Sequence, residues 1–312
     1  MQQSPVCTKP SSISPSPRPV AHQDIQDDLQ TVFDVGMNNG DDSAYYLSRG
    51  CRVIAVEANP TLAERARERF RAEIASGRMV LEAVGIVDRP GKIPFWINEE
   101  RSVFSSFDRA KAVRDGMKCH PIEVNCVTFD MLLKRHGVPN YLKLDVEGAE
   151  PHCLRSLDGF GLPSYISVEA ESLECLFLLW NLGYREFKIV DQMRHNSWFP
   201  DFSNENILSR WAKCGCQYVD RFKNRVAKVS FPRGSSGPLV GDITRGWQTA
   251  EEVAYNWLHL HFGHHNRGTL SSNSWYDFHA KAPSAVPKID RQKRLPNGIE
   301  VAIERFNRSF DS

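Results

Sequence analysis

Short apolar runs alternate with amphipathic stretches over residues 28–192 of the chain. The runs are nearly continuous in aliphatic and aromatic residues, a pattern typical of strands buried on both faces of a sheet. The stretches between them carry helix signals, with Asn59 and Thr128 at N-cap positions, Pro60 at a first helical position and Gly50 at a helix end. This alternation predicts an α/β fold with a mostly parallel, doubly wound sheet.

The apolar pattern predicts individual elements as well as the fold class. The predicted strands are TVFDVG, CRVIAVEA, MVLEAVGI, YLKLDVEG, SYISVEAE and FKIVDQ, with GKIPFWIN as an extended segment outside the main sheet. The predicted helices are DDSAYYLSRG, NPTLAERARERFRAEIASGR, TFDMLLKRHG, AEPHCLRSLDGFG and SLECLFLLWNLGYRE. The sheet is therefore expected to be complete by residue 192. Outside 28–192 we predict a disordered leader (1–27), an extension rich in Trp, His, Gly and Ser (193–282) and a peripheral tail (283–312).

Composition narrows the class of partner. The chain has 312 residues, is 41% hydrophobic and has a formal net charge of +1, so no global basic field favours nucleic acid. No apolar run approaches the ~20 residues of a membrane span, and the N-terminal stretch lacks the apolar region of a secretory signal. The 8 cysteines are scattered without a CxxC pair, which predicts reduced thiols and a cytoplasmic location. We therefore expect no nucleic acid and no membrane partner.

The turn VGMNNGDD after the first predicted strand indicates the charge of a ligand. It is not a P-loop, since no Lys follows Gly40, and it is not a dinucleotide fingerprint, since Asn38 and Asp41 occupy the second and third glycine positions. Asp41 and Asp42 open the next helix, where their charges would repel a pyrophosphate. The turn suits a ligand with cationic groups. S-adenosylmethionine, which has an ammonium, a sulfonium and one carboxylate, fits this requirement.

Acidic residues at the ends of the next two strands support a nucleoside site. Glu57 ends the second strand and follows Gly40 by 17 residues, where an acidic side chain can accept hydrogen bonds from both ribose hydroxyls. The third strand ends in Glu82 and Ala83, at the place where an adenine edge is expected. The residues at successive strand ends are Asp34, Gly36, Gly40, Glu57 and Glu82.

A second group of carboxylates follows the strand in KLDVEGAE. Asp145 is expected at the open edge of the sheet, beside the cofactor, and Glu169 and Glu171 end the next strand. Glu147 and Glu150 have a second interpretation, since acidic residues often cap the N-terminus of a helix. The carboxylates could hold a divalent cation, or bind the ammonium of the cofactor and act as a base. We predict that no metal is required.

Several motifs occur together and in order over residues 32–150: FDVGMNNG, VIAVEANP, EAVGI, SVFSSF, VTFDMLL and YLKLDVEGAE. They resemble the FkbM family of S-adenosylmethionine-dependent methyltransferases, whose pattern is a DVGANxG turn, VxAxEPxP, A(L/V)G, an SS loop, T(L/F)D and (I/L)K(I/L)DVEGxE. The chain departs from this pattern at Met37, where Ala is usual, and at Glu82, where Asn is common.

The resemblance implies a class I methyltransferase fold, Rossmann-like and doubly wound, with a mostly parallel seven-stranded sheet and a C-terminal extension. It also implies S-adenosylmethionine as cofactor and methyl transfer to a small-molecule acceptor, at a hydroxyl or carboxylate of a natural product or sugar. Carried over residue by residue, the resemblance assigns the methionine part of the cofactor to Asp34, Gly36, Asn38 and Gly40. It assigns the ribose and adenine side to Glu57 and Asn59, and the adenine to Glu82 and Ala83. Asp145 is assigned to the neighbourhood of the sulfonium, and Ser105 and Ser106 to the lining of the pocket.

A neutral hydroxyl acceptor needs a general base. The candidates are Asp145, Glu147 and Glu169, with His152 as a weaker one. His279, oriented by Asp277, is a further candidate because we expect residues 232–282 to fold back over the carboxyl edge of the sheet and form the acceptor pocket.

Three other features have competing interpretations. Trp275 could cover the acceptor or belong to an aromatic core, and the histidines of HLHFGHH are predicted to be a surface cluster rather than a metal site. The alternative to an enzyme is a non-catalytic partner protein that binds S-adenosylmethionine or its product, against which the intact DVEGAE motif argues. A nicotinamide oxidoreductase is disfavoured by the aspartates at the helix start.

Overall fold

The fold is α/β with two sheets. The computed structural model describes residues 30–192, 196–197, 246–262 and 275–283. The strands are β1 (Thr31–Val35), β2 (Arg52–Val56), β3 (Met79–Glu82), β4 (Gly85–Ile86), β5 (Gly91–Asn98), β6 (Cys119–Val127), β7 (Tyr141–Leu144), β8 (Tyr165–Glu169), β9 (Glu186–Asp191), β10 (Asn196–Ser197) and β11 (Tyr276–Lys281). The α-helices are α1 (Asp41–Ser48), α2 (Pro60–Arg69), α3 (Arg71–Ala75), α4 (Arg109–Ala112), α5 (Phe129–His136), α6 (Glu150–Ser156), α7 (Leu173–Leu182) and α8 (Ala250–Phe262).

The main sheet has the strand order β10-β9-β11-β8-β7-β1-β2-β3 in the described ranges. β3, β2, β1, β7 and β8 run parallel to one another, and β11 is antiparallel to both β8 and β9. The predicted mostly parallel, doubly wound sheet is confirmed, with the two-residue β10 added at the edge of the seven strands expected. Strand order reverses between β1 and β7, so a crevice opens beyond their carboxyl ends.

Helices cover both faces of this sheet because its strands are apolar on both faces. On one face the side chains of α1 and α2 pack against strand residues such as Val32 and Val53. On the other face α5 to α8 pack against Phe33, Ile166 and Ile189. These interior side chains are fully buried, as expected for a sheet between two helical layers.

The expectation that the sheet is complete by residue 192 is wrong. β11 lies between β8 and β9, with Phe278 paired to Val168 on one side and Ile189 on the other. An antiparallel strand in this position arrives through a long connection, so no local alternation of strand and helix indicates it. Asp277 and His279 also make the segment more polar than the other strands, although both side chains are buried.

A second sheet with the order β4-β6-β5 lies outside the main one. The predicted extended segment GKIPFWIN is β5, and MVLEAVGI is divided between β3 in the main sheet and β4 in the small one. β6 was not predicted, because only Val124 and Cys126 of its nine residues are fully buried. The backbones of Trp96 in β5 and Ser106 bond to each other, which holds the loop before Ser106 against the small sheet.

None of the helices within the described ranges is long and apolar enough to cross a membrane. The cysteines in those ranges carry free thiols: Cys51, Cys119, Cys126, Cys153 and Cys175.

Candidate functional site

A cavity of about 290 Å³ opens at the carboxyl ends of β1, β2 and β7. Its position is the one expected for a ligand in a doubly wound sheet, beside the reversal of strand order. Its lining combines residues 36–39 and both aspartates of α1 with Glu57, Val84, residues 101–105, Lys143, residues 145–147, Glu169, Gln192 and Trp275.

The turn between β1 and α1 is folded back tightly under the cavity. The amides of Gly36 and Met37 both donate to the carbonyl oxygen of Val56 at 3.0 Å. Gly36 has a φ of +82°, and a Cβ there would lie 1.7 Å from the carbonyl oxygen of Asp145. Only glycine therefore allows the turn to pass so close to the end of β7.

Glu57 is buried and lies on the cavity wall. Its Oε2 accepts a hydrogen bond from the amide of Asn38 and its Oε1 accepts one from the amide of Asn59, both at 2.8 Å. Burial raises the pKa of Glu57 to about 7, against the effect of these two amides. A carboxylate offers about four acceptor positions, so two remain for a ligand.

Lys143 in β7 is a buried lysine that the sequence analysis did not assign, although it lies within the KLDVEGAE motif. Its Nζ lies 3.1 Å from Asp34 Oδ1 and 3.6 Å from carboxylate oxygens of Asp42 and Asp145, and it donates to the carbonyl oxygen of Gly36 at 3.2 Å. Burial opposes the charge, but the three carboxylates hold the pKa of Lys143 well above its usual value. The sequence feature that could have identified Lys143 is a single basic residue within an otherwise apolar strand.

Asp34 lies behind the cavity rather than on its wall. The side chain is fully buried, and its two oxygens are bonded by Ser43 Oγ at 2.6 Å and by Lys143. The assignment of Asp34 to direct contact with the methionine part is therefore not supported, because the side chain is fully buried and is not part of the cavity lining. Gly36 and Asn38 do lie on the wall, whereas Gly40 lies just outside it as the N-cap of α1.

Asp145, Glu147 and Glu169 bring their carboxylate oxygens together, with one from each within 4.8 Å of the others. Burial, followed by the charge of Asp145, raises the pKa of Glu147 to about 7, and the same causes raise the pKa of Glu169 well above its usual value. Three carboxylates this close do not all stay ionised. The absence of a metal requirement stays a prediction.

The backbone after β7 presents Glu147 to the cavity. Glu147 has a φ of +52°, which is uncommon for a residue with a Cβ. Glu150 holds this turn, because its two carboxylate oxygens accept from the amides of Val146 and Gly148 at 2.8 Å. The capping interpretation therefore describes Glu150, whereas Glu147 faces the cavity, with Arg114 Nη2 at 3.7 Å from its Oε2.

The loop from Arg101 to Ser106 lies across the cavity from the first turn. Ser102 Oγ donates to Asn38 Oδ1 at 3.2 Å, and Ser105 lies on the wall. Ser106 is buried beside the cavity, where its Oγ donates to the carbonyl oxygen of Glu147 at 3.0 Å. Of the two predicted pocket serines, Ser105 lines the space and Ser106 supports the turn that carries Glu147.

Three predicted cofactor residues at the ends of β2 and β3 lie off the cavity wall. The Asn59 side chain accepts from the amide of Thr61 and caps α2. The Glu82 carboxylate is bonded by Arg135 Nη1 and lies 2.7 Å from His136 Nε2, which turns it towards α5. Ala83 is also off the wall, and Val84 is the residue of that strand end that reaches it.

His279 cannot be the base that the sequence suggested. It is fully buried within β11, between Ser167 of β8 and Lys188 of β9, and neither ring nitrogen has a hydrogen-bond partner among the residues that the structure describes. Burial and the charge of Lys188 lower the pKa of His279 to about 3. Asp277 does not orient it, since its Oδ1 accepts from Gln192 Nε2 at 2.6 Å. Both side chains belong to the sheet.

Trp275 and the histidines of HLHFGHH lie in different parts of the structure. Trp275 is half-buried on the cavity wall, with the guanidinium of Arg101 5.9 Å from its ring centroid, so it lies at the site rather than in the aromatic core. His261 Nδ1 lies 2.9 Å from the carbonyl oxygen of Trp257, one turn earlier in α8. His265 lies outside the described residues. About half of the predicted 232–282 pocket segment also lies outside them. Of the described part, α8 packs against one face of the sheet instead of over its carboxyl edge.

A second cavity of about 490 Å³ adjoins the first, and the two share Ile86, Phe107, Val146, Glu147 and Glu169. The acidic and basic side chains that line only the second cavity are Asp88, Asp108, Lys111, Glu150, His152, Glu171 and Glu174. The exposed His152 lies here and not on the first cavity, so the weaker base candidate is separated from the other three. The carboxylates of Glu147 and Glu169 stand where the two cavities meet.

A protein-family model described as the methyltransferase FkbM domain matches residues 34–192, just over half of the chain. Over 125 residues the chain is 32% identical to the probable ribosomal RNA small subunit methyltransferase A of Methanospirillum hungatei JF-1. That alignment covers 35% of this chain and 49% of the relative. The chain thus spans about half the length of the curated relative that it matches.

Two solved structures are similar at low identity. The methyltransferase FkbM from Methylobacillus flagellatus KT is 16% identical with a TM-score of 0.34, over 49% of this chain and 37% of that chain. The precorrin-6y C5,15-methyltransferase from Geobacter metallireducens GS-15 is 11% identical with a TM-score of 0.34, over 86% of this chain and 93% of that chain. At these scores neither likeness bears on what this chain acts on.

Proposed function

This chain belongs to the FkbM methyltransferase family, and we propose that it is an S-adenosylmethionine-dependent O-methyltransferase whose acceptor is a small molecule with a hydroxyl or carboxylate group. The observation that carries the proposal is a single cavity with ionisable carboxyl groups at both ends. Glu57 lies at one end, and Asp145, Glu147 and Glu169 lie at the other.

The residues present fit S-adenosylmethionine by charge. Asp41 and Asp42 lie on the cavity wall at the start of α1, so the place where a dinucleotide needs positive charge is negative. Lys143 is one cation among three carboxylates, which leaves an excess of negative charge facing the cavity. Asp42 and Asp145 would hold the ammonium group, and this charge pattern disfavours the nicotinamide alternative.

At the nucleoside end, Glu57 would accept hydrogen bonds from the ribose hydroxyls. Its carboxylate is already oriented by two backbone amides and needs no rearrangement. Val84 and Phe95 supply apolar surface on the same wall and suit the adenine.

At the other end, the carboxyl groups of Asp145, Glu147 and Glu169 have different proposed roles. When bound, S-adenosylmethionine supplies a methyl group on a positively charged sulfur. Asp145, with Lys143 3.6 Å away, is the binding carboxylate. Glu147, with a pKa of about 7, is the general base that removes the proton of an acceptor hydroxyl. The pKa of Glu169 is raised well above its usual value by burial and by the charges of Asp145 and Glu147, so its protonated form would donate a hydrogen bond.

The second cavity is where we place the acceptor, because it meets the first at Glu147 and Glu169. Acidic side chains outnumber basic ones along its wall, which disfavours a polyanion such as RNA. An acidic wall of this kind does not suit the ribosomal RNA named for the archaeal relative, and between the two proposed acceptor groups it favours a neutral hydroxyl over an anionic carboxylate.

The test is calorimetric titration followed by an activity screen. The protein is titrated with S-adenosylmethionine, S-adenosylhomocysteine and NAD, and we expect the first two to bind and NAD not to bind. Radiolabelled methyl transfer is then measured for panels of hydroxyl compounds, carboxylic acids and short RNAs. Binding with no transfer to any panel would favour the non-catalytic partner protein, and tight NAD binding would overturn the cofactor assignment.

A further inference from the structure

Lys143 connects three separate parts of the site from a buried position. Its Nζ contacts Asp34 of β1, Asp42 of α1 and Asp145 after β7, at 3.1 to 3.6 Å. It also donates to the carbonyl oxygen of Gly36 at 3.2 Å. One ammonium group therefore holds the first turn, the first helix and the end of β7 in a single arrangement.

This buried arrangement of charges contributes little net stability to the fold. Burying a lysine and several carboxylates costs desolvation energy that ion pairing only partly offsets, and an apolar replacement of similar size is often equally stable. Of Lys143's partners, Asp42 and Asp145 also line the cavity, whereas Asp34 does not. The lysine therefore joins an interior carboxylate to two that face the ligand space.

We propose that Lys143 is a positioning residue, which orients Asp145 and the first turn so that they bind the amino-acid end of the cofactor. The inference rests on the proposed function and deepens it, since it assigns cofactor recognition to a side chain that acts through its neighbours. Asp145 is about a third exposed at its side chain, so without the lysine it has room to turn away.

Two ligands separate positioning from general damage. S-adenosylhomocysteine and 5′-methylthioadenosine share the nucleoside, but only the first has the amino-acid part. In Lys143→Met we expect the affinity for S-adenosylhomocysteine to fall on the order of 10- to 100-fold, which corresponds to one charged hydrogen bond. The affinity for methylthioadenosine should change less than about threefold, since Glu57 and the apolar wall are untouched.

Lys188→Met is the matched control. Lys188 is the other buried lysine within the described residues, and it lies over the ring of Trp247, 4.1 Å from the centroid, away from the cavity. The Lys188→Met variant should leave the ratio of the two ligand affinities unchanged, whatever its effect on the stability of the protein. If Lys143→Met does not fold, Lys143→Arg keeps the charge while moving the donors, and the same selective loss is expected.

The outcomes are distinct. Equal losses of affinity for both ligands would overturn the positioning role. A gain in S-adenosylhomocysteine affinity would overturn it as well, because it would mean that Lys143 competes with the ligand's ammonium. Wild-type protein that binds neither ligand would overturn the proposed function, and this inference with it. Wild-type binding with an unchanged ratio in the Lys143 variant would overturn only the inference.

Discussion

At the scale of single residues, environment separates side chains that are chemically alike. Asp145, Glu147 and Glu169 lie within one small group, but Asp145 has the ammonium of Lys143 3.6 Å away. Burial and acidic neighbours raise the pKa of Glu169 well above its usual value and that of Glu147 to about 7. The roles that we propose for them, as binding group, base and hydrogen-bond donor, rest on these surroundings rather than on residue type.

We expect Glu147→Gln to reduce turnover on the order of 10²- to 10⁴-fold, since the amide cannot accept the acceptor's proton. Wild-type activity should rise with pH and be half-maximal near 7, because only the ionised form of Glu147 acts as base. Affinity for S-adenosylhomocysteine should be retained. The control is Glu64→Gln, an exposed residue of α2 paired with Arg67. Full turnover in Glu147→Gln would assign the base elsewhere.

Gly36 and Gly116 make a matched pair for a second prediction. Both have left-handed backbones, with φ of +82° and +76°. A Cβ would meet the backbone of Asp145 at Gly36, whereas at Gly116 it would meet no described residue within 4 Å. Gly116→Ala should cost about 1 kcal/mol of unfolding free energy from backbone strain alone. Gly36→Ala should cost clearly more and abolish ligand binding. Denaturant unfolding and calorimetry measure both, and equal costs would contradict the close approach.

At the scale of elements, β11 places polar side chains inside the sheet. A row of in-register positions crosses neighbouring strands and is polar throughout: Asp34, Lys143, Ser167, His279 and Lys188. Ser167 Oγ lies 2.7 Å from Tyr141 Oη, and Asp34 is paired with Lys143. The opposite side of β11, with Phe278 and Ala280, belongs to the main apolar core.

The central position of β11 predicts a large effect for one core substitution. Phe278→Ala should lower the unfolding free energy by about 3–5 kcal/mol, because the side chain is fully buried between β8 and β9. Phe160→Ala, at a residue that is 37% exposed, should change it by less than about 0.5 kcal/mol. Both are measured by guanidinium unfolding. A small loss for Phe278→Ala would argue against the insertion of β11 into the sheet.

At the scale of the whole molecule, the acidic site opposes folding as pH rises. Glu57 and Glu147 have folded pKa values of about 7, against 4.5 ordinarily. Between these values the folded state keeps protons that the unfolded chain releases, so these two groups lower the unfolding free energy of the ligand-free protein as pH rises. Buried His279, with a pKa of about 3, acts in the opposite sense up to its ordinary value of 6.5, but as one group against two. A site that destabilises its own fold in this way is better explained by ligand binding than by structure.

We therefore expect ligand-free protein to be more stable near pH 5 than near pH 7, with little further change above 7 from these two groups. Glu147→Gln removes one of them and should make the decline shallower. Urea unfolding across this range measures both slopes. Wild-type stability that increases from pH 5 to 7, or an identical slope in the variant, would contradict the raised pKa values.

Much of this protein could be predicted from local sequence. The alternation of apolar runs and amphipathic stretches predicted the doubly wound sheet and most of its strands, because those properties depend on neighbouring residues. The placement of Gly36, Asn38, Glu57 and Asp145 around one space also followed, since parallel strands end at the same edge of a sheet. Glu147 and Glu169 were grouped with them for the same reason.

Only the tertiary structure decided the rest. The insertion of β11, the small sheet containing β6, the burial of Asp34 and His279, and the three carboxylates around Lys143 each depend on residues far apart in the chain. Strand pairing and burial are set by the sum of such distant contacts. The local sequence around a polar residue in a strand is therefore the same whether the side chain contacts water, a ligand or a buried partner. For Lys143, a buried position became acceptable only because three carboxylates from separate elements converge on it.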